Sequence, residues 1–388
     1  MIEDLLIPHR NELTAIRHDL HMHPEMLFEE VRTSAIVARE LARFGFKVTT
    51  GLAKTGVVGT LSNGTSGRSI GIRADMDALP IHETTNLPYA SKYPGKMHAC
   101  GHDGHTTMLL GLARYLAESR NFDGTVHLIF QPSEEDEGGA LRMIEDGLFK
   151  RFPCDAVFAL HNIPGEEPGQ VIVRPGPITA AVDIVGITMR GLGGHGAVPQ
   201  KAIDPIVAAS SLVIALQSVV SRNIDPLDPA VITVGSFNAG SMATVIPGEA
   251  KLLVGVRTCT RQVRELILKR IEDLTKGQAR SFGCEADVQI GDGSWSYPAG
   301  ANTAPEAALV RAVALEMGQD PAKVDMRGPF MFSEDFAYMQ ELVPSCYFGI
   351  GNGSGPMLHD SSYNFNDELL VKGPAFWARL VAKALPQS

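Results

Sequence analysis

Several features that would mark a specialised environment are absent. The five cysteines, at positions 100, 154, 259, 284 and 346, are scattered singly and make no disulfide framework, which points to a reducing compartment and makes cytoplasm the expected location. There is no excess of positive charge. The formal net charge of -10 argues against a nucleic-acid footprint and leaves the substrate open, because surface acidity serves solubility. The amino terminus, MIEDLLIPHR, lacks a basic segment followed by an apolar run and a small-residue cleavage site, so no signal peptide is expected. No apolar run reads as long enough to span a bilayer, so no membrane partner is expected. Internal repeats, low-complexity tracts and charge runs are also missing.

What remains is a globular composition, with 44% apolar and 20% charged residues. A chain of 388 residues exceeds one ordinary core, so two domains are expected. The first part alternates short β-rich runs (Val57–Ser62, Ser69–Arg73, Thr125–Phe130, Ala156–Leu160) with helical patterns (Glu30–Phe44, Gly104–Glu118, Gly138–Gly147), the signature of a layered α/β sheet. Polar clusters follow these strands: Asp75 and Asp77, then Glu134 and Glu135, then His161. Ligands of open α/β sheets bind beyond the carboxyl ends of strands, so the clusters can converge.

From Thr179 the rhythm changes to strand Asp183–Arg190, helix Asp204–Ser221, strands Ala230–Asn238 and Glu249–Thr258, helix Arg261–Phe282 and strand Glu285–Gly291. That order is the ferredoxin-like βαββαβ unit. It reads as an insertion. The expected organisation is a first catalytic segment over 1–178, an inserted domain over 179–293, and a second catalytic segment over 294–388 with helix Pro305–Glu316, strand Cys346–Ile350, the loop bearing His359 and a last helix near Asp367–Ala384.

The densest chemistry is His98-Ala-Cys-Gly-His-Asp-Gly-His105. Cys100 and His102, two apart on an extended loop, can face one ion, and thiolate with imidazole suits zinc, or cobalt, nickel or manganese when carboxylates join. Gln131-Pro-Ser-Glu-Glu135 follows an apolar strand, where adjacent acids could equally open a helix. A metal hydrolase needs one carboxylate to bind the ion and a second, unligated, to carry the proton of the attacking water to the leaving amine. Neighbouring glutamates can divide those tasks. Alone, His161 or His359 would read as a structural histidine; beside a thiolate, an imidazole and a carboxylate they become the fourth and fifth ligand candidates. Asp77 is placed to fix the tautomer of a ligating histidine.

Together with Arg17-His-Asp-Leu-His-Met-His-Pro-Glu25, Gly191-Leu-Gly-Gly-His195 and Ser333-Glu-Asp-Phe336, these motifs show that the whole chain resembles the aminoacylase/carboxypeptidase-type metallopeptidases, in the amidohydrolase branch of hippurate hydrolase and the auxin-conjugate hydrolases. The resemblance implies a zinc-peptidase-like α/β catalytic domain with a central mixed sheet flanked by helices, and an inserted ferredoxin-like lid and dimerisation domain. It implies two divalent ions per subunit (zinc, manganese, cobalt or nickel) on Cys100, His102, Glu135, His161 and His359, with Glu134 as general base and His195 stabilising the oxyanion. The implied reaction is hydrolysis of N-acyl amino acids, hippurate-like or N-acetyl, by a homodimer or dimer of dimers. A dipeptidase or carboxypeptidase with the same site is the alternative. Arg257 resembles the family residue that pairs with the substrate carboxylate. The chain departs from the branch at Thr244, commonly asparagine, and at Gln200, commonly histidine, two positions where the family meets its substrate. The other histidines read as structural or surface residues, with His105 a candidate support for a ligand.

Overall fold

The computed structural model describes residues 2–291 and 296–387. They form two compact units: Met1–Ile178 with Ala301–Gly328 and Asp335–Ser388, and Thr179–Gly300 with Pro329–Glu334. The boundary expected after residue 293 lies outside the described residues.

The first unit is built on a seven-stranded mixed sheet. Across it run Lys47–Leu52, Gly56–Asn63, Gly124–Gln131, Ser69–Asp75, Ala156–Pro164, Ser345–Gly353 and Val171–Ile172. The four strands from Gly124–Gln131 through Ser345–Gly353 are mutually parallel, and the outer ones are antiparallel. Parallel strands are covered on both faces, which is why Val126, Leu128, Ile129 and Phe130, or Val157, Phe158, Ala159 and Leu160, are apolar without alternation and buried. The helix His102–Ser119 is apolar almost all round, with Met108, Leu109, Leu110, Leu112 and Ala113 buried, because helices Arg10–Met22 and Leu369–Ala384 pack on it as well as the sheet. Helix Arg10–Met22 and strand Lys47–Leu52 are additions to the elements expected from sequence.

In the second unit a four-stranded antiparallel sheet runs Ala230–Ala239, Glu249–Thr258, Ala181–Arg190, Glu285–Ile290. Alternation is clean here. Ala250, Leu252, Val254 and Val256 are buried beneath helices Pro205–Asn223 and Arg261–Ser281, while the residues between them face outward. Asp204 caps the first helix by accepting the Ile206 N–H at 2.8 Å, and Thr260 caps the second through the Val263 N–H at 3.3 Å, each worth about 1 kcal/mol. One sequence expectation needs correction. Pro205–Asn223 is, by length and composition, apolar enough to cross a membrane. Its stretch of alanine, valine, leucine and isoleucine holds no ionisable residue before Arg222, and Ala208, Ala209, Leu212, Leu216 and Val219 form the face that packs in the unit's core.

Candidate metal centre

The carboxyl ends of the parallel strands carry the polar cluster. After Ser69–Asp75 comes Asp77, and after Gly124–Gln131 come Glu134 and Glu135. His161 lies within its strand rather than after it, since that strand continues to Pro164, and it pairs across the sheet with Gly349. Cys100 precedes the long helix that His102 begins, separated from it only by Gly101. Gly101 has φ of +93°, and a Cβ there would stand 2.5 Å from Asn162 Oδ1 and 2.8 Å from the Tyr363 hydroxyl. Only glycine makes this turn without strain, and the turn brings Cys100 and His102 toward one point. His359 has φ of +65°, and its backbone N–H donates to the Ala99 carbonyl at 2.9 Å, tying its loop to the one bearing Cys100.

The geometry brings all five expected ligands and Glu134 together. Ligand atoms of Cys100, His102 and His161 lie within 4.8 Å of one another, as do those of Cys100, Glu135 and His359, and those of His102, Glu134 and Glu135. Cys100 Sγ is 3.3 Å from His161 Nε2. Glu135 Oε1 is 3.2 Å from His359 Nε2 and 3.9 Å from His102 Nε2. His102 Nε2 and Glu135 Oε1 are buried and make no hydrogen bond. Leaving such atoms unsatisfied costs about 1–3 kcal/mol each, so a cluster of this kind fits a cation that takes both. Imidazole, thiolate and carboxylate are the donor set of a transition-type divalent ion.

The supporting shell is equally definite. Asp77 Oδ1 sits 3.1 Å from His102 Nδ1, and its Oδ2 accepts the Glu135 N–H at 2.9 Å, so one carboxylate orients two of the clustered residues. His161 Nδ1 faces its neighbour's carbonyl, Asn162 O, at 2.8 Å, and its Nε2 faces the cluster, 3.3 Å from Cys100 Sγ. His105 also falls within ligand distance of Asp75 and His102. Its nitrogens are already engaged, Nδ1 by Asp75 Oδ1 and Nε2 by Asn162 Oδ1, both at 2.6 Å. It therefore supports the cluster from behind.

Electrostatics agrees with a cation-seeking site. Burial and the carboxylates of Glu135 and Glu134 push the Cys100 thiol well above its ordinary range. Burial opposes charge on His102, but Asp75 and Asp77 outweigh it and raise its pKa to about 10. Burial, then His105, drives His161 far down and keeps it neutral.

Sequence reading gave no role to a second buried network under this loop. His21 Nδ1 meets Asp103 Oδ2 at 2.8 Å, Arg17 reaches the same oxygen at 3.4 Å, and the Arg17 guanidinium lies 4.6 Å from the centroid of the Tyr89 ring. The spacing of Arg17 and His21, one helical turn apart before a proline, was the available signal.

His195, Thr244 and Arg257 belong to the second unit. His195 pairs with Val245 in a short antiparallel bridge, is exposed, and accepts the Ala197 N–H on Nδ1 at 3.0 Å; the Thr244 carbonyl accepts the Gly196 N–H at 2.8 Å. These two residues are thus neighbours. Arg257 is half-buried and donates to Ser333 Oγ at 2.5 Å, and burial lowers its pKa.

Comparison with known proteins agrees with this architecture. The model of peptidase family M20/M25/M40 matches residues 71–383. A hippurate hydrolase of Campylobacter jejuni is 44% identical over 377 residues, 97% of each chain. An N-acetyl-L-cysteine deacetylase of Bacillus subtilis is 38% identical, over 94% of this chain and 86% of that one. Among solved structures, a putative aminohydrolase of methicillin-resistant Staphylococcus aureus superposes with a TM-score of 0.91 at 33% identity over 99% of both chains. A Bacillus subtilis dinuclear metal-binding peptidase of the M20 family does so with 0.85 at 31%, over 97% of this chain and 99% of that one. This chain belongs to peptidase family M20/M25/M40 and is a metal-dependent amidohydrolase.

Proposed function

We propose that the protein hydrolyses the amide bond of N-acyl amino acids, releasing a carboxylic acid and a free amino acid. The observation that carries this reading is the pairing of Glu135, whose buried Oε1 faces His359 and His102, with Glu134, an adjacent buried carboxylate. In this reading Cys100, His102, Glu135, His161 and His359 hold two divalent ions of the zinc, manganese, cobalt or nickel type. Such ions, when bound, supply the positive charge that acidifies water and polarises a carbonyl.

The chain's own groups do the rest. Glu134 takes the proton of the attacking water and hands it to the leaving nitrogen, while Asp77 keeps His102 in one tautomer. His195, from the partner subunit of a homodimer, donates to the developing oxyanion, and Arg257 pairs with the free carboxylate of the amino-acid half. The names of the hippurate hydrolase and N-acetyl-L-cysteine deacetylase relatives support an acyl group on an amino acid. The dipeptidase or carboxypeptidase reading draws on the peptidase named among the structural neighbours.

Turnover of N-benzoylglycine, N-acetyl amino acids and dipeptides is compared in the metal-loaded protein and in Glu134→Gln and Glu135→Gln. Acylated amino acids are expected to be the better substrates. Glu134→Gln should keep its metal and lose turnover, and Glu135→Gln should lose metal. Faster cleavage of dipeptides would transfer the assignment to the peptidase reading, and a reversed mutant pattern would exchange the two glutamates.

A further inference from the structure

Glu134 stands in a strained turn that is bonded internally, by Gly139 N–H to the Ser133 carbonyl at 2.9 Å and by Ser133 Oγ to the Asp136 carbonyl at 2.7 Å, and is also held from outside. The turn between strand Gly124–Gln131 and helix Gly139–Glu145 puts Ser133 at φ +52°, Glu137 at +55° and Gly138 at +66°. A non-glycine residue in that region costs about 1–3 kcal/mol and persists only where the surroundings over-determine it. Gly139 is pressed so tightly against the turn that a Cβ there would stand 1.7 Å from the Pro132 carbonyl oxygen. Buried carboxylates add restraint from outside the turn. Glu30 accepts the Ser133 N–H at 3.1 Å and Asp77 the Glu135 N–H at 2.9 Å.

Asp335 is different in kind, because it grips both ends of the turn. Its two carboxylate oxygens each accept from Gln131 Nε2 at 2.8 Å, at the residue where the strand ends, and Oδ2 also accepts the Ala140 N–H at 2.8 Å, where the helix begins. Its own backbone N–H points at Glu134 Oε1, 3.4 Å away. We propose that Asp335 is a positioning residue for the hydrolytic reaction, closing the turn from both ends so that the Glu134 carboxylate is held where it must exchange its proton.

A purely neutralising role toward the buried Arg73 is the competing explanation. Arg73, however, has other and closer partners. Arg73 already has Asp75 at 2.7 Å and Gln131 Oε1 at 2.7 Å, and its contact with Asp335 is longer, at 3.1 Å. The 2.8 Å bonds of Asp335 go to the two ends of the turn. The inference rests on Glu134 being the base, and the experiment separates the two claims.

Asp335→Asn keeps shape and one acceptor but turns an amide NH2 toward the donors of Gln131 or Ala140. Gln131→Met removes the grip on the strand end, and with it one acceptor of Arg73, which keeps Asp75 and Asp335; it leaves Asp335 and its charge intact, so it carries the test if the first variant does not fold. Both are purified with metal content measured, and kcat and KM are determined on a hydrolysed N-acyl amino acid. The expected result is a loss in kcat of about 10- to 100-fold for Asp335→Asn, a smaller one for Gln131→Met, unchanged KM and full metal content. In a Glu134→Gln background, Asp335→Asn should bring no further loss. Unchanged kcat in the folded variants, recovery by excess metal, or a multiplied loss in the double variant would each overturn the proposal. Glu134→Gln by itself, if it stays active, overturns the base assignment and this inference with it; if it is inactive while Asp335→Asn is normal, only the inference falls.

Discussion

Replacing His21 by glutamine should remove a pH-dependent part of the stability that anchors the start of the helix bearing His102. His21 is fully buried, with Nδ1 2.8 Å from Asp103 Oδ2 and Nε2 3.4 Å from Glu83 Oε1. Burial works against its charge, but Asp103 and Glu83 outweigh it and raise the imidazole pKa from 6.5 to about 9. At roughly 1.4 kcal/mol per pH unit, that difference is worth about 3 kcal/mol of folded-state stability. The sign follows from linkage: the contribution is complete below 6.5, where the unfolded chain also carries the proton, and is lost as pH rises through 9. Asp103, held far below its ordinary range despite burial by His21 and its neighbours, adds stability that is lost only on strong acidification. Urea unfolding of wild type and His21→Gln, at one fixed metal concentration, reads the effect. The gap between the two proteins should be large near pH 6 and shrink by about 3 kcal/mol toward pH 10. A gap that is the same at both ends would mean that folding does not shift the His21 pKa, and the ion pair would have to be abandoned.

Cys100→Ala is expected to bind less metal than wild type by elemental analysis, because the thiol shares its cluster with His102, His161, Glu135 and His359; full metal content with normal turnover would remove Cys100 from the ligand set. For His195, the proposed action in the partner subunit predicts complementation. Unfolding, mixing and refolding inactive His195→Ala with inactive Glu134→Gln should restore activity, since one site of the mixed dimer has both groups, whereas no recovery means that the histidine serves its own chain.

Much of this protein was legible before folding. The βαββαβ order of the elements from Ala181 to Ile290 came from switching periodicities, and the ends of those strands and helices moved by only a few residues, since one-sided burial writes alternation directly into strands such as Glu249–Thr258. Cys100 with His102, and Glu134 with Glu135, stood out as candidates by close spacing, because groups on one loop are near each other in any fold. His161 and His359 could be joined to them only by resemblance and by convergence at strand ends, and it is the parallel pairing of Ala156–Pro164 with Ser345–Gly353 that brings their segments side by side.

Other features had no local signature at all. Asp335 lies far along the chain from Gln131 and Ala140, and nothing in Ser333-Glu-Asp-Phe336 says which turn it will hold. Arg17, His21 and Asp103 look like ordinary surface charges until helix Arg10–Met22 packs on helix His102–Ser119 and buries them together. The apolar stretch Pro205–Asn223 likewise gains its meaning from the sheet it covers. By itself the sequence determined which residues were candidates for the chemistry and which face of each regular element is apolar, for those properties depend on neighbours a few positions away. Only the tertiary structure decided which charges are buried, which partners fix them and which turn is held under strain, because desolvation and long-range hydrogen bonds exist only once distant segments meet.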